Sequence, residues 1–129
     1  MPIETDIDET RRCVLVTASG DMTFSQMAET ISAAVRDPRF RPGYRILSDH
    51  MKVITPIRDA QVEQVIQFLE ELSDVMSGSR WAMVTTRSES AETLSRVANL
   101  ARRVSLEMRV FATTEEAEAW LFHDEEQGG

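Results

Sequence analysis

Residues 44–86 read YRILSDHMKVITPIRDAQVEQVIQFLEELSDVMSGSRWAMVTT, and this stretch decides the fold. Its two ends, YRILSD at 44–49 and RWAMVTT at 80–86, are short and rich in β-branched and large apolar residues, as buried strands are. Between them, Thr55-Pro56 reads as a cap followed by proline at the first helical position, where a missing N–H costs nothing. Val62, Val65, Ile66, Leu69, Leu72 and Met76 then recur at helical spacing and form one apolar face. Gly78 supplies the left-handed residue that closes such a helix. Strand, helix and strand of these lengths make a crossover, which parallel strand neighbours require.

The alternation continues on both sides. Upstream, residues 12–19 (RCVLVTAS) read as a strand ending at the Gly20-Asp21 turn, and a weaker strand near residues 3–7 suits an antiparallel edge. Thr23 with Gln26 fits a capping box, and Met22 is placed to pack on Met27 as a staple. Phe24, Met27, Ala28, Ile31, Ala34 and Val35 carry that helix until Asp37-Pro38 stops it. Downstream, Ser88 or Ser90 is the expected cap of a helix with Ala91, Leu94, Val97, Ala98, Ala101 and Val104 on its apolar face. Arg102 and Arg103 sit in its last turn, where cations suit the helix dipole. Residues 107–111 (EMRVF) are a final strand, and Thr113 with Glu116 fits a second capping box that opens a short helix carrying Ala117, Trp120 and Leu121. The predicted order is β-β-α-β-α-β-α-β-α. This is a single α/β domain over residues 1–122, with a mainly parallel sheet of about five strands and four helices. Residues 123–129 are expected to be a polar, disordered tail.

Composition narrows the function classes. The chain has 129 residues, 42% apolar and 28% charged, with a net charge of −8, which is the profile of a soluble globular domain. Cys13 stands alone, so no internal disulfide and no all-cysteine metal site can form. No apolar run approaches the ~20 residues of a membrane span. The start, Met1-Pro2-Ile3-Glu4, has no secretion-signal pattern, so the expected location is cytoplasmic. The acidity sits at the ends: Glu4, Asp6, Asp8 and Glu9, then Glu115, Glu116, Glu118, Asp124, Glu125 and Glu126, leaving the body slightly basic. An acidic protein repels phosphate backbones, which speaks against nucleic-acid binding. The ends are either solvated or a surface for a basic partner. Thirteen of the 14 bases are arginine, and Arg36, Arg39, Arg41 and Arg45 fall in one connection with Asp37. Their planar forks suit an anion, or else the protein's own acids.

Ligands of open α/β sheets bind beyond the carboxyl ends of the strands. That rim gathers Asp49, His50, Thr55, Thr85, Thr86 and Arg87. Asp49 and His50 are adjacent, so a strand points them to opposite faces and they cannot pair. Ser48 is a neighbour too, whereas a Ser-His-Asp triad converges from separate segments. His50 is expected at a strand end, in solvent or satisfied by backbone. Two isolated histidines and one strand cysteine give no metal-ligand spacing, and the glycines (20, 43, 78, 128, 129) make no phosphate loop, so no metal and no cofactor are expected. Cys13 reads as a small buried residue. Met22, Met27, Met51, Met76, Met83 and Met108 either fill the core or line an adaptable pocket between the sheet edge and the central helix.

Several segments together resemble the SpoIIAA-like superfamily, which includes the STAS domains of anti-sigma factor antagonists and sulfate transporters. They are Ser19-Gly20 leading to Met22-Thr23, the strand Ile46-Leu47-Ser48-Asp49, Thr55-Pro56, the arginine-led strand Arg80-Trp81-Ala82-Met83-Val84, and Val110-Phe111 followed by Glu115-Glu116-Ala117-Glu118-Ala119-Trp120-Leu121. The last stretch looks most like the broader SpoIIAA-like group. The resemblance spans about residues 10–122 and implies a SpoIIAA-like β-α superhelix. It implies a non-catalytic binding or regulatory domain acting through a homodimer, a protein partner or a small lipophilic ligand. Anti-sigma antagonists carry a phosphorylated Asp-Ser-Ser/Thr-Gly-type turn at the central helix; here the stretch is Met51-Lys52-Val53-Ile54-Thr55-Pro56-Ile57, and Thr55 is its one hydroxyl. A phospho-regulated antagonist using Thr55 is therefore one alternative. A small hydrolase or isomerase at the Asp49/His50/Arg87 edge is another.

Overall fold

In the computed structural model, the described residues are 3–21, 23–41, 43–53, 61–76 and 78–122, with the side chains of 88–90 left aside. The strands are β1 (Ile3–Asp8), β2 (Cys13–Gly20), β3 (Arg45–Val53), β4 (Arg80–Val84) and β5 (Glu107–Phe111). The helices are α1 (Phe24–Val35), α2 (Val62–Glu71), α3 (Ser73–Met76), α4 (Ser88–Ala101) and α5 (Thr114–Leu121). The five strands form one sheet in sequence order, β1-β2-β3-β4-β5. β1 runs antiparallel to β2, and β2 through β5 are parallel. The expected mainly parallel α/β sheet is thus the observed one.

Local chemistry explains the helix ends. Thr23 accepts the Gln26 N–H at 3.1 Å while Gln26 Oε1 accepts the Thr23 N–H at 2.9 Å, a complete capping box. Thr113 Oγ1 accepts the Glu116 N–H at 3.2 Å and donates to Glu116 Oε1 at 3.0 Å; the Glu116 carboxylate thus meets the hydroxyl instead of the Thr113 N–H, and only half of the expected capping box forms. Gly78 adopts the left-handed conformation (φ 83°), and its N–H donates to Ser105 O at 2.9 Å. Two expectations are corrected. The central helix is broken into α2 and α3 after Glu71, because the Ser73 hydroxyl donates to Glu70 O at 2.8 Å and competes for the backbone there. The cap position of α4 is Arg87 rather than Ser88 or Ser90, with no side-chain bond at the cap; the helix already begins at Ser88. The Met22 staple and residues 123–129 lie outside the described residues.

The sheet divides the core in two. On one face Val14, Val16, Ala18, Ile46, Trp81, Met83 and Met108 pack with Met27, Ile31, Val65, Leu69, Leu94 and Val97 of α1, α2 and α4. On the other face Cys13, Leu47, Ala82 and Val84 pack with Ala117 and Leu121 of α5. The predicted helix faces are therefore the buried ones, with Phe68 of α2 joining them at 8% exposure.

Candidate functional site

β3 runs past its predicted end, to Val53, through an irregularity that sets the whole site. In its register with β2, Thr17 faces Asp49 but Ser19 faces Lys52, so β3 carries one extra residue there. Without it, strict alternation would send Lys52 into the core and Val53 out. With it, Met51 and Lys52 are both exposed and Val53 is buried. Asp49 helps to hold the bulge: its Oδ1 accepts the Met51 N–H at 2.9 Å.

Before the bulge, Ile46, Ser48 and His50 share the face covered by α1, α2 and α4, and Leu47 and Asp49 face the other way. Asp49 and His50 thus point to opposite faces, as their adjacency requires. The solvent-facing reading of His50 is corrected: it is 8% exposed, and its Nε2 has no hydrogen-bond partner. The alternation Ile46, Ser48, His50 carried this signal; ending the strand at residue 49 hid it. Burial lowers the His50 pKa from its ordinary 6.5 to about 4, with Asp49 opposing weakly, so the imidazole is neutral at pH 7. Nearby, the Trp81 indole N–H donates to the buried Ser48 hydroxyl at 2.7 Å, satisfying a polar group inside an apolar layer.

His50 lines a narrow cavity of about 20 Å³ whose other walls are apolar, among them Met27, Phe68, Trp81, Met83 and Met108. That is room for one water-sized group. Three of the six methionines singled out from the sequence meet here. Met76 is buried elsewhere in the same core, and Met51 is 46% exposed at the bulge.

The other rim residues do not converge on this cavity. Thr86 and Arg87 are exposed beyond the end of β4, and the Arg87 N–H donates to the Oγ1 of buried Thr85 at 3.2 Å. Among the described residues no hydrogen bond or ion pair joins any two of Asp49, His50, Thr86 and Arg87. Thr55, named as cap or phosphosite, lies outside the described residues. Cys13 is fully buried, and burial pushes its thiol up to about 11, which keeps it protonated and unreactive. In the arginine-rich connection, Arg39 forms a fork on Asp37 at 3.1 Å, an ion pair within the loop itself. Among the described residues no His, Cys, Asp and Glu group is placed to hold a metal, and no helix is long and apolar enough to cross a membrane.

No protein-family model matches the chain, and no curated protein matches it. Among solved structures, it is similar to an uncharacterized protein of the DUF3478 family with a SpoIIAA-like fold from Shewanella loihica PV-4. The TM-score is 0.60 at 19% identity, covering 92% of this chain and 93% of the other. The class defined by sheet order, crossover helices and this likeness is an α/β domain with the SpoIIAA-like fold, as the sequence resemblance implied.

Proposed function

We propose that this is a non-catalytic binding domain whose ligand is a small apolar molecule carrying one hydroxyl, taken up between the sheet and α2 and α4. The observation that supports this reading is His50: a neutral imidazole whose buried Nε2 is without a protein partner, lining an otherwise apolar cavity. A hydroxyl both donates and accepts, so it suits either imidazole tautomer. A buried polar atom left unpaired costs about 1–3 kcal/mol, and a ligand that pairs it recovers part of that. A hydroxyl-bearing apolar ligand exceeds this cavity, so its uptake requires α2 to move off the sheet; unbranched, polarizable methionines are the side chains that adapt to such a change. Catalysis finds little support at this rim. Asp49 and His50 face opposite ways, and Ser48 is engaged by Trp81.

The test uses the methionine methyl groups as reporters. With 13C-methyl methionine labelling, cyclohexanol should shift Met27, Met83 and Met108 saturably and leave Met51 unmoved. Cyclohexane should bind about tenfold more weakly, the worth of roughly one hydrogen bond. His50→Phe should erase that preference. Shifts spread over all methionines, or none at saturation, would refute the reading.

A further inference from the structure

The two edges of the sheet carry opposite charge on the same face. β1 is one edge and β5 is the other. On β1, Glu4, Asp6 and Asp8 alternate with Ile3, Thr5 and Ile7, and their register with Thr17, Leu15 and Cys13 puts the acids on the α5 face. Asp8 is occupied by Arg11 at 3.0 Å, while Glu4 and Asp6 are exposed and, among the described residues, in no ion pair, with Arg39 near enough to Asp6 to feel its charge. On β5, Arg109 pairs in register with Ala82 and so points to that same face, where its guanidinium lies 5.3 Å from the Trp120 ring. Arg109 and Arg102 are exposed and border an open groove of about 510 Å³ along Ser105–Arg109. The acid of that strand, Glu107, is turned toward Arg80 at 3.9 Å.

Among the described residues no strand pairs with the outer edge of β5. The Glu107 N–H donates to Ser79 O at 3.3 Å, and Phe111 O accepts from the Thr85 N–H at 3.0 Å. Residues 107, 109 and 111 therefore turn their backbone groups toward β4, and Met108 and Val110 turn theirs to the outer edge.

We infer that β5 of one copy pairs with β1 of a second copy, extending the sheet head to tail. If the helices stay on the same side, the new pair is antiparallel. Arg109 then meets the row Glu4 and Asp6, and Met108 and Val110 meet the row Ile3 and Ile7 on the other face. Cross-strand pairs of opposite charge stabilise such a ladder, and like charges oppose it. The same charges disfavour the symmetric alternatives, because β1 against β1 sets acid on acid and β5 against β5 sets arginine on arginine. The contact joins two different surfaces, so it leaves a fresh edge on each added copy. It does not depend on the cavity at His50.

Sedimentation of the full chain over a concentration series tests this. In low salt the average mass should rise with concentration past two copies, and 0.5 M salt should reverse much of the rise. Asp6→Lys and Arg109→Glu should each weaken association about tenfold, and the double variant, with the charges exchanged, should recover it. Arg102→Glu replaces Arg109→Glu if circular dichroism shows that the latter is misfolded. A chain that stays monomeric in low salt overturns the inference. So does assembly that stops at two copies, that ignores both single substitutions, or that the exchanged pair fails to restore.

Discussion

The two faces of the sheet have the same strand alternation and are finished in different ways. On one face, α1, α2 and α4 lay an apolar layer over the strands, and the two β3 polar side chains Ser48 and His50 are trapped beneath it. One of these, Ser48, is paired with Trp81, and the other, His50, has an unpaired Nε2. On the other face a single eight-residue helix, α5, closes a small cluster, and its rim is made of arginines on aromatic rings. Arg80 and Arg109 lie 5.5 and 5.3 Å from the Trp120 ring, and Arg11 and Arg45 lie 5.5 and 5.9 Å from that of Phe122. Arg11 also bridges Asp8 and Glu118. Under a thick apolar layer an unpaired polar atom is costly and informative. A thin layer keeps its edge wet, and amphipathic cations supply the cover.

The largest effect should separate the faces by depth of packing. Leu69→Ala, under the thick layer, should cost about 4 kcal/mol in urea unfolding, and Leu121→Ala, in the small cluster, about 2–3 kcal/mol, since a thin cover collapses more readily into a void. Equal losses would break the comparison.

Next comes pH. The His50 pKa is depressed by burial, so between 6.5 and about 4 the unfolded chain binds a proton that the folded chain does not. Stability must therefore fall as pH drops through that window, by up to about 3 kcal/mol, and His50→Phe should flatten that part of the curve. Ser48→Ala should follow, at about 2 kcal/mol, because it leaves the Trp81 N–H unpaired within the same layer; a shift in Trp81 emission reports it. Smallest is Arg109→Ala at Trp120, about 0.5–1 kcal/mol by thermal unfolding, as suits an exposed cation–π contact.

Much of this architecture was legible in the residues. The crossover over residues 44–86, the Thr23 capping box, the Thr113 cap, the α4 stripe and the buried Cys13 all follow from local chemistry that the tertiary structure leaves intact. The site was legible only in part. His50 and Lys52, two polar residues on either side of Met51, look like the end of a strand. What carries the strand through them is a bulge, set by pairing with a distant segment and held by Asp49. The break after Glu71 was likewise hidden, because Leu72 and Met76 keep the helical rhythm across it. Likeness to a solved structure at 19% identity bears on the fold alone.

The central claim is that a neutral imidazole sits in the apolar layer beneath α2 and α4. An NMR titration of the imidazole C–H signals in a His123→Gln background, where His50 is the sole histidine, measures this directly. The account predicts that His50 stays neutral down to about pH 4. A midpoint near 6.5, the value of a histidine in water, would contradict it.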